Sequence, residues 1–265
     1  MNNMKEISLA DQQKIELNVL KVIDAFCRKY GIRYMLSAGT LLGAIRHKGF
    51  IPWDDDVDIV MPRPDYERFY QIFNTLNEDP QYRLVSSRDR SMAYPFLKVI
   101  DTSTLVLEDY VNPEYNKLGL WVDIYPIDGA PPIESYREFR KLKFMHGMAM
   151  SDAKSAATTF KRITKRILKT LLGNPTPYEI SERYDAKAQE VPIAEDREVA
   201  VVIWGYREKE RMPYEYLERT EVEFEGNLFF ASKMWDQYLT QLFGDYMQLP
   251  PENQRVPHGM HAYYL

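Results

Sequence analysis

Residues 53–61 read Trp53-Asp54-Asp55-Asp56-Val57-Asp58-Ile59-Val60-Met61. Successive side chains of a strand point to opposite faces, so Asp56 and Asp58 share one face while Val57, Ile59 and Met61 share the other. The apolar face predicts a strand over 54–61 that packs on a core, and the acidic face predicts two carboxylates held side by side. Such a pair repels itself and needs a compensating charge. Hard oxygen donors of this kind suit Mg²⁺ or Mn²⁺. A solvated acidic turn is the competing reading, and the apolar alternate face argues against it. A calcium loop fails on spacing: Asp54, Asp56 and Asp58 begin like one, but Ile59 stands where it needs Gly and Asp65 where it needs Glu.

Just upstream, Ser37-Ala38-Gly39-Thr40 lies between a predicted strand over 33–38 and a short helix over 41–46. A glycine there lets backbone approach a ligand closely, and free N–H groups at a helix start bind phosphate oxygens. Thr40 adds a hydroxyl. A Gly-Thr pair is as readily a plain helix cap. Its place, one short helix before Asp56 and Asp58, makes it a phosphate cradle facing a metal platform. Downstream, Leu120-Trp121-Val122-Asp123-Ile124-Tyr125 predicts a strand with Val122 and Ile124 on one side and Asp123 on the other. An Asp within an apolar strand is costly unless it is paired or ligating. The alternative is a hydrogen-bonded or salt-bridged core Asp. Asp128-Gly129 reads as a turn.

The remaining pattern surrounds this unit. Ser8 followed by Asp11 marks a helix start, Ile15, Val19, Val22, Ile23 and Phe26 recur at helical spacing, and Gly31 ends the run. Pro64 opens another helix with Tyr66, Phe69, Tyr70, Phe73 and Leu76 on one face. A further strand is expected over 96–100, with Lys98 on the face of Phe96 and Ile100. After Pro131-Pro132 the chain turns more helical, ending in a helix over 231–243 that Gly244 caps. The expected division is an α+β catalytic core, 1–130, and a more helical C-terminal part, 131–265, packed on it.

Bulk properties limit the function. The 265 residues are 45% hydrophobic and 28% charged, the profile of an ordinary globular protein. A net charge of -5 and a pI near 5.5 disfavour nucleic acid as the main partner. The single cysteine, Cys27, can form neither an internal disulfide nor a zinc cluster. No apolar leader stands at residues 1–13 and no run reaches transmembrane length, so a cytoplasmic protein is expected. Residues 158–172, from Thr158 to Leu172, carry Lys161, Arg162, Lys165, Arg166 and Lys169 opposite Phe160, Ile163, Ile167, Leu168 and Leu171. That pattern suits a peripheral contact with an anionic membrane surface, or an ordinary surface helix.

Three long motifs carry a resemblance. Residues 36–47 (Leu-Ser-Ala-Gly-Thr-Leu-Leu-Gly-Ala-Ile-Arg-His), residues 51–58 (Ile-Pro-Trp-Asp-Asp-Asp-Val-Asp) and residues 122–129 (Val-Asp-Ile-Tyr-Pro-Ile-Asp-Gly) resemble the LicD family. So does the ending from Phe243 to Pro251, with Arg255 and His258 beyond it. The resemblance implies a nucleotidyltransferase-like mixed sheet of the polymerase-β type, with Thr40 where that superfamily often has Ser. It also implies transfer of a phospho-alcohol, phosphocholine foremost, from a CDP-alcohol such as CDP-choline to a cell-surface glycan or its lipid-linked precursor.

The site so implied has Asp56, Asp58 and Asp123 as catalytic groups and ligands of Mg²⁺ or Mn²⁺. Gly39, Thr40, Lys98, Arg255 and His258 are the donor contacts. Lys98 reads equally as a snorkelling surface lysine and His258 as a surface histidine. Transfer of a nucleotidyl group to a small molecule, glycosyl transfer through Asp-x-Asp, and a non-catalytic binding module remain the alternatives.

Overall fold

The computed structural model describes residues 4–108, 111–115, 117–151, 170, 173–203, 207–256 and 260–265. Helix α1 (Leu9–Tyr30) starts where Ser8 Oγ accepts from the Asp11 amide and stops at Gly31, whose φ of 63° is left-handed. Strand β1 (Met35–Leu36) leads into α2 (Ala38–His47), then β2 (Asp58–Pro62) and α3 (Arg63–Leu76). Next come β3 (Tyr82–Val85), β4 (Leu97–Asp101), β5 (Thr104–Glu108) and β6 (Trp121–Gly129). The C-terminal half contributes α4 (Tyr136–Met150), α5 (Pro177–Ala188), β7 (Val199–Ala200), β8 (Arg211–Met212), β9 (Arg219–Phe224), β10 (Asn227–Ser232), α6 (Trp235–Phe243) and β11 (Met260–Tyr264).

The fold is mixed α+β. Its main sheet runs β1-β2-β6-β4-β3, with β7 pairing β6 and β8 pairing β7. Among the described residues, only β2 and β6 pair in parallel there; the other pairings are antiparallel. β9 and β10 form a hairpin whose turn residues, Glu225 and Gly226, have φ of 49° and 68°, the paired positive values that a twisted two-residue turn demands. β11 pairs with β5.

Helix α1 packs on β4 and β6, while α3 packs on β2, β3 and β6. Phe26 of α1 meets Phe69 and Phe73 of α3 with ring centroids 5.7 and 4.8 Å apart. One apolar cluster extends from Val19 to Leu242. Residues from both expected parts, 1–130 and 131–265, enter the main sheet and this cluster.

Four boundaries move from the sequence reading. Asp54 to Val57 precede the strand as a loop, and β2 begins at Asp58. α2 begins at Ala38, so Gly39 and Thr40 lie in its first turn instead of in a turn ahead of it. Ala231 and Ser232 belong to β10, and α6 begins only at Trp235, still capped by Gly244. Asp128-Gly129 is no turn but the end of β6, because buried Asp128 is paired. The basic stretch 158–172 lies outside the described residues apart from Thr170, as does His258. Among the described residues no helix is long and apolar enough to cross a membrane.

Candidate active site

Strand register builds the site. Asp58 on β2 stands opposite Asp123 on β6, and Asp123 stands opposite Lys98 on β4. One row across three strands therefore reads Asp58, Asp123, Lys98. The chain extends the parallel pairing before β2, since the Asp123 amide donates to the Val57 carbonyl at 2.8 Å.

Val57 and Ile59 are buried while Asp56 and Asp58 on the alternate side are half-buried, as period two requires. Asp55 is buried at 2% exposure. Burial, then the nearby Asp56, Asp123 and Asp54, holds the Asp58 carboxyl well above the usual carboxylate range. Its Oδ1 is out of solvent and has no hydrogen-bond partner among the described residues. Burial also raises Asp123, while the Lys98 ammonium opposes that shift.

Lys98 is only 2% exposed, and its Nζ lies 2.8 Å from Asp123 Oδ1. The surface-lysine alternative is therefore corrected: its strand is central, and the side chain points at a buried acid.

The cradle is built at the mouth of β1. Ser37 is extended, with φ of -138°, and Ala38 turns into the helix with φ of 43°. That left-handed value is uncommon outside glycine and marks local strain at the strand-to-helix corner. The Ser37 side chain does not cap α2; its hydroxyl lies 3.0 Å from that of Tyr238. The first amides of α2 have no intrahelical acceptor and no Ser37 cap, and that of Ala38 meets the Tyr238 hydroxyl instead.

A Cβ on Gly39 would stand 2.9 Å from Asp54 Oδ2, so the helix start abuts the acidic loop. Thr40 is 3% exposed, and its hydroxyl accepts from the Asp58 amide at 2.8 Å. It ties the cradle to the first residue of the carboxylate strand.

The C-terminal segment reaches the same loop. The Arg255 guanidinium lies 5.5 Å from the Trp53 ring and donates to the Pro250 carbonyl at 2.9 Å. Arg46 donates to the Tyr246 and Gln248 carbonyls at 2.8 and 3.2 Å, pinning that segment to the end of α2.

The sequence reading missed Glu16. It is 1% exposed on α1, and burial followed by Asp56, Asp55, Asp54 and Asp123 pushes its carboxyl well above the usual range. Gln13, one turn earlier, donates to the Asp54 carbonyl at 2.8 Å. Glu16 was findable: Gln12, Glu16, Val19, Leu20 and Ile23 share one helical face, so this acid interrupts an apolar stripe.

A second group of charges clamps α5 to the sheet. Arg63 makes a two-pronged contact with Asp128 at 2.7 and 2.6 Å, and reaches Asp185 at 2.8 Å. Arg88 joins Glu67 and Asp185 from the other side.

Among the described residues, no three His, Cys, Asp or Glu side chains are grouped so as to hold a metal ion unaided. Mg²⁺ commonly needs only one or two carboxylates with substrate phosphates and water completing its shell. The partnerless Asp58 Oδ1, its mutually repelling acids and the adjoining helix start fit that kind of site.

Comparison with known proteins bears on this geometry. The model of the LicD/FKTN/FKRP nucleotidyltransferase domain matches residues 31–131, which hold β1, the acidic loop, Lys98 and Asp123. The chain is 33% identical to the lipopolysaccharide cholinephosphotransferase LicD of Haemophilus influenzae, over 99% of this chain and 100% of that one. Shorter likenesses reach uncharacterized proteins of Rickettsia typhi and Rickettsia prowazekii, 34% and 36% identical over 32% and 26% of this chain and 26% of each of theirs.

Proposed function

The chain belongs to the LicD family of transferases, and from that premise we propose that it moves phosphocholine from CDP-choline to a hydroxyl of a cell-surface glycan or its lipid-linked precursor. The observation that carries the reading is the junction of two features on the main sheet: the row Asp58–Asp123 and the start of α2, which has no side-chain cap, tied together by Thr40. A nucleotidyltransferase-like sheet is inferred on the same ground.

In the reaction, the acceptor oxygen bonds to the phosphorus that carries choline. The bond between that phosphorus and the bridging oxygen of the diphosphate breaks, and CMP leaves with the electron pair. The amides of Gly39 and its neighbours hold donor phosphate oxygens at the helix start. Asp56 and Asp58, with Asp123 beside them, would hold Mg²⁺ or Mn²⁺. When bound, the cation offsets negative charge that builds on the transferring phosphoryl group. Asp123 takes the proton of the attacking hydroxyl, a role worth about 10²–10⁴-fold in such reactions. Arg255, stacked on Trp53 beside the acidic loop, supplies positive charge to the departing CMP; His258 is the neighbouring candidate. Residues 158–172 remain the candidate for a peripheral membrane contact near a lipid-linked acceptor.

The test is CMP release from CDP-choline, CDP-ethanolamine, CDP-glycerol and CDP-ribitol, with Mg²⁺ or Mn²⁺, for wild type and Asp58→Ala. Metal-dependent release from CDP-choline, lost in the variant, is the expected result. No release from any donor, even with crude glycan acceptor, overturns the reading. The description of the matching family model as a nucleotidyltransferase domain favours nucleotidyl transfer as the second reading, and consumption of an NTP in the same assay would establish it.

A further inference from the structure

Lys98 has a setting unlike that of a lysine that grips a substrate phosphate. Its Nζ sits 3.5 Å from the centroid of the Trp121 ring, 4.8 Å from Tyr94 and 5.5 Å from Phe96. Its fourth neighbour is Asp123 Oδ1, at 2.8 Å. Trp121 and Asp123 are alternate residues of β6 and lie on one side of the strand, so the ammonium spans both. The side chain is 3% exposed, so a phosphate arriving from solvent meets the rings and the carboxylate before the nitrogen.

We propose that Lys98 is a positioning residue: held in its aromatic cage, it grips one oxygen of Asp123 and aims the other along the row toward Asp58 and the reacting centre. This rests on the site reading given above, and it replaces the expectation that Lys98 touches the donor. Three fixed points set the geometry. The β4–β6 register puts Lys98 and Asp123 opposite each other, the β2–β6 register puts Asp58 on the far side, and the cage prevents the ammonium from swinging away. A shift of one ångström in such a group can cost two orders of magnitude in rate.

The experiment compares wild type, Lys98→Met, Asp123→Asn and the double variant in donor turnover. Lys98→Met keeps most of the length of the side chain and removes its charge. It should lower kcat by about 100-fold while the donor KM stays within about twofold, since ground-state binding is untouched. The double variant should be no slower than Asp123→Asn alone, because Lys98 acts only through Asp123.

A donor KM raised about tenfold with kcat kept, or losses that multiply in the double variant, overturns the inference. Lys98→Gln, whose amide can still donate to Asp123, covers the case in which Lys98→Met does not fold, and should fall between it and wild type. If wild type releases CMP from no donor, the functional reading has failed and Lys98 is judged by Mn²⁺ titration alone. Losing the grip on Asp123 should then weaken Mn²⁺ binding in Lys98→Met, with Lys98→Gln between it and wild type; an unchanged affinity, the tightening that loss of a nearby positive charge alone would give, or no binding by wild type overturns the positioning role.

Discussion

Replacing Thr40 with valine separates two roles that one hydroxyl could have. Valine keeps the shape and the branching of threonine and removes only the oxygen. That oxygen accepts the Asp58 amide at 2.8 Å inside a site where Thr40 is 3% exposed. Nothing in the valine can replace it, so the amide at the start of β2 loses its partner. Leaving one buried group unsatisfied costs about 1–3 kcal/mol. For a chain of this size that corresponds to a fall in Tm of roughly 2–10 °C. The amide is free to escape the cost by moving toward water, and Asp58 would move with it. A displacement of about an ångström at a reacting group lowers kcat by about 100-fold.

The assay is donor turnover with thermal unfolding on the same samples, with Thr40→Ser as the control that restores the oxygen. Thr40→Val should lose kcat and Tm together and keep the donor KM, and Thr40→Ser should recover most of both. An unchanged Tm with a raised donor KM would refute this reasoning, for it would mean that the hydroxyl serves the donor and not the strand.

Two predictions concern the body of the protein. Asp128→Asn removes the charge that Arg63 grips at 2.7 and 2.6 Å in a buried setting, and should cost about 3–5 kcal/mol in urea unfolding; a loss under about 1 kcal/mol would show that Glu67 and Asp185 neutralise Arg63 without it. Burial depresses His146 from 6.5 to about 4, with its Nε2 on the Ala93 carbonyl, so the unfolded chain takes up the proton first. The stability it supplies is complete above pH 6.5 and is lost as pH falls from there toward 4. Between pH 7 and 5 wild type should lose about 2 kcal/mol more than His146→Gln. Equal losses in the two proteins would remove His146 as the cause; acids with raised values contribute equally to both and cancel.

What could be read from sequence was whatever periodicity or local chemistry encodes. Asp56 and Asp58 alternate with Val57 and Ile59, and burial follows that alternation even through the part that is loop. Ser8 and Gly31 bound α1 through caps whose chemistry is local. What could not be read depends on strand order. Nothing within β4 says that Lys98 will face Asp123, because a neighbour is fixed by register with a strand more than twenty residues away. Asp128-Gly129 has the composition of a turn, and the Arg63 guanidinium, brought in by α3, offsets the cost of burying Asp128 in a strand. The place of Thr40 near the carboxylates is legible from the motif spacing; that its hydroxyl accepts from the Asp58 amide is not.

The tie between Ser37 and Tyr238 has a consequence for synthesis. Tyr238 also donates to Glu210 at 3.1 Å, so the corner before α2 is anchored to residues far down the chain. A chain emerging from the ribosome presents Asp54, Asp55, Asp56, Asp58 and Asp123 first. Its opposing struts arrive later: Asp185 for Arg63, β7 for β6, Tyr238 for Ser37, Arg255 for Trp53. At roughly 5–20 residues per second, several seconds separate the acidic row from these C-terminal contacts. The corner before α2 therefore gains its tie to Tyr238 only when α6 has been made, well after the acidic row and its partners Thr40 and Lys98.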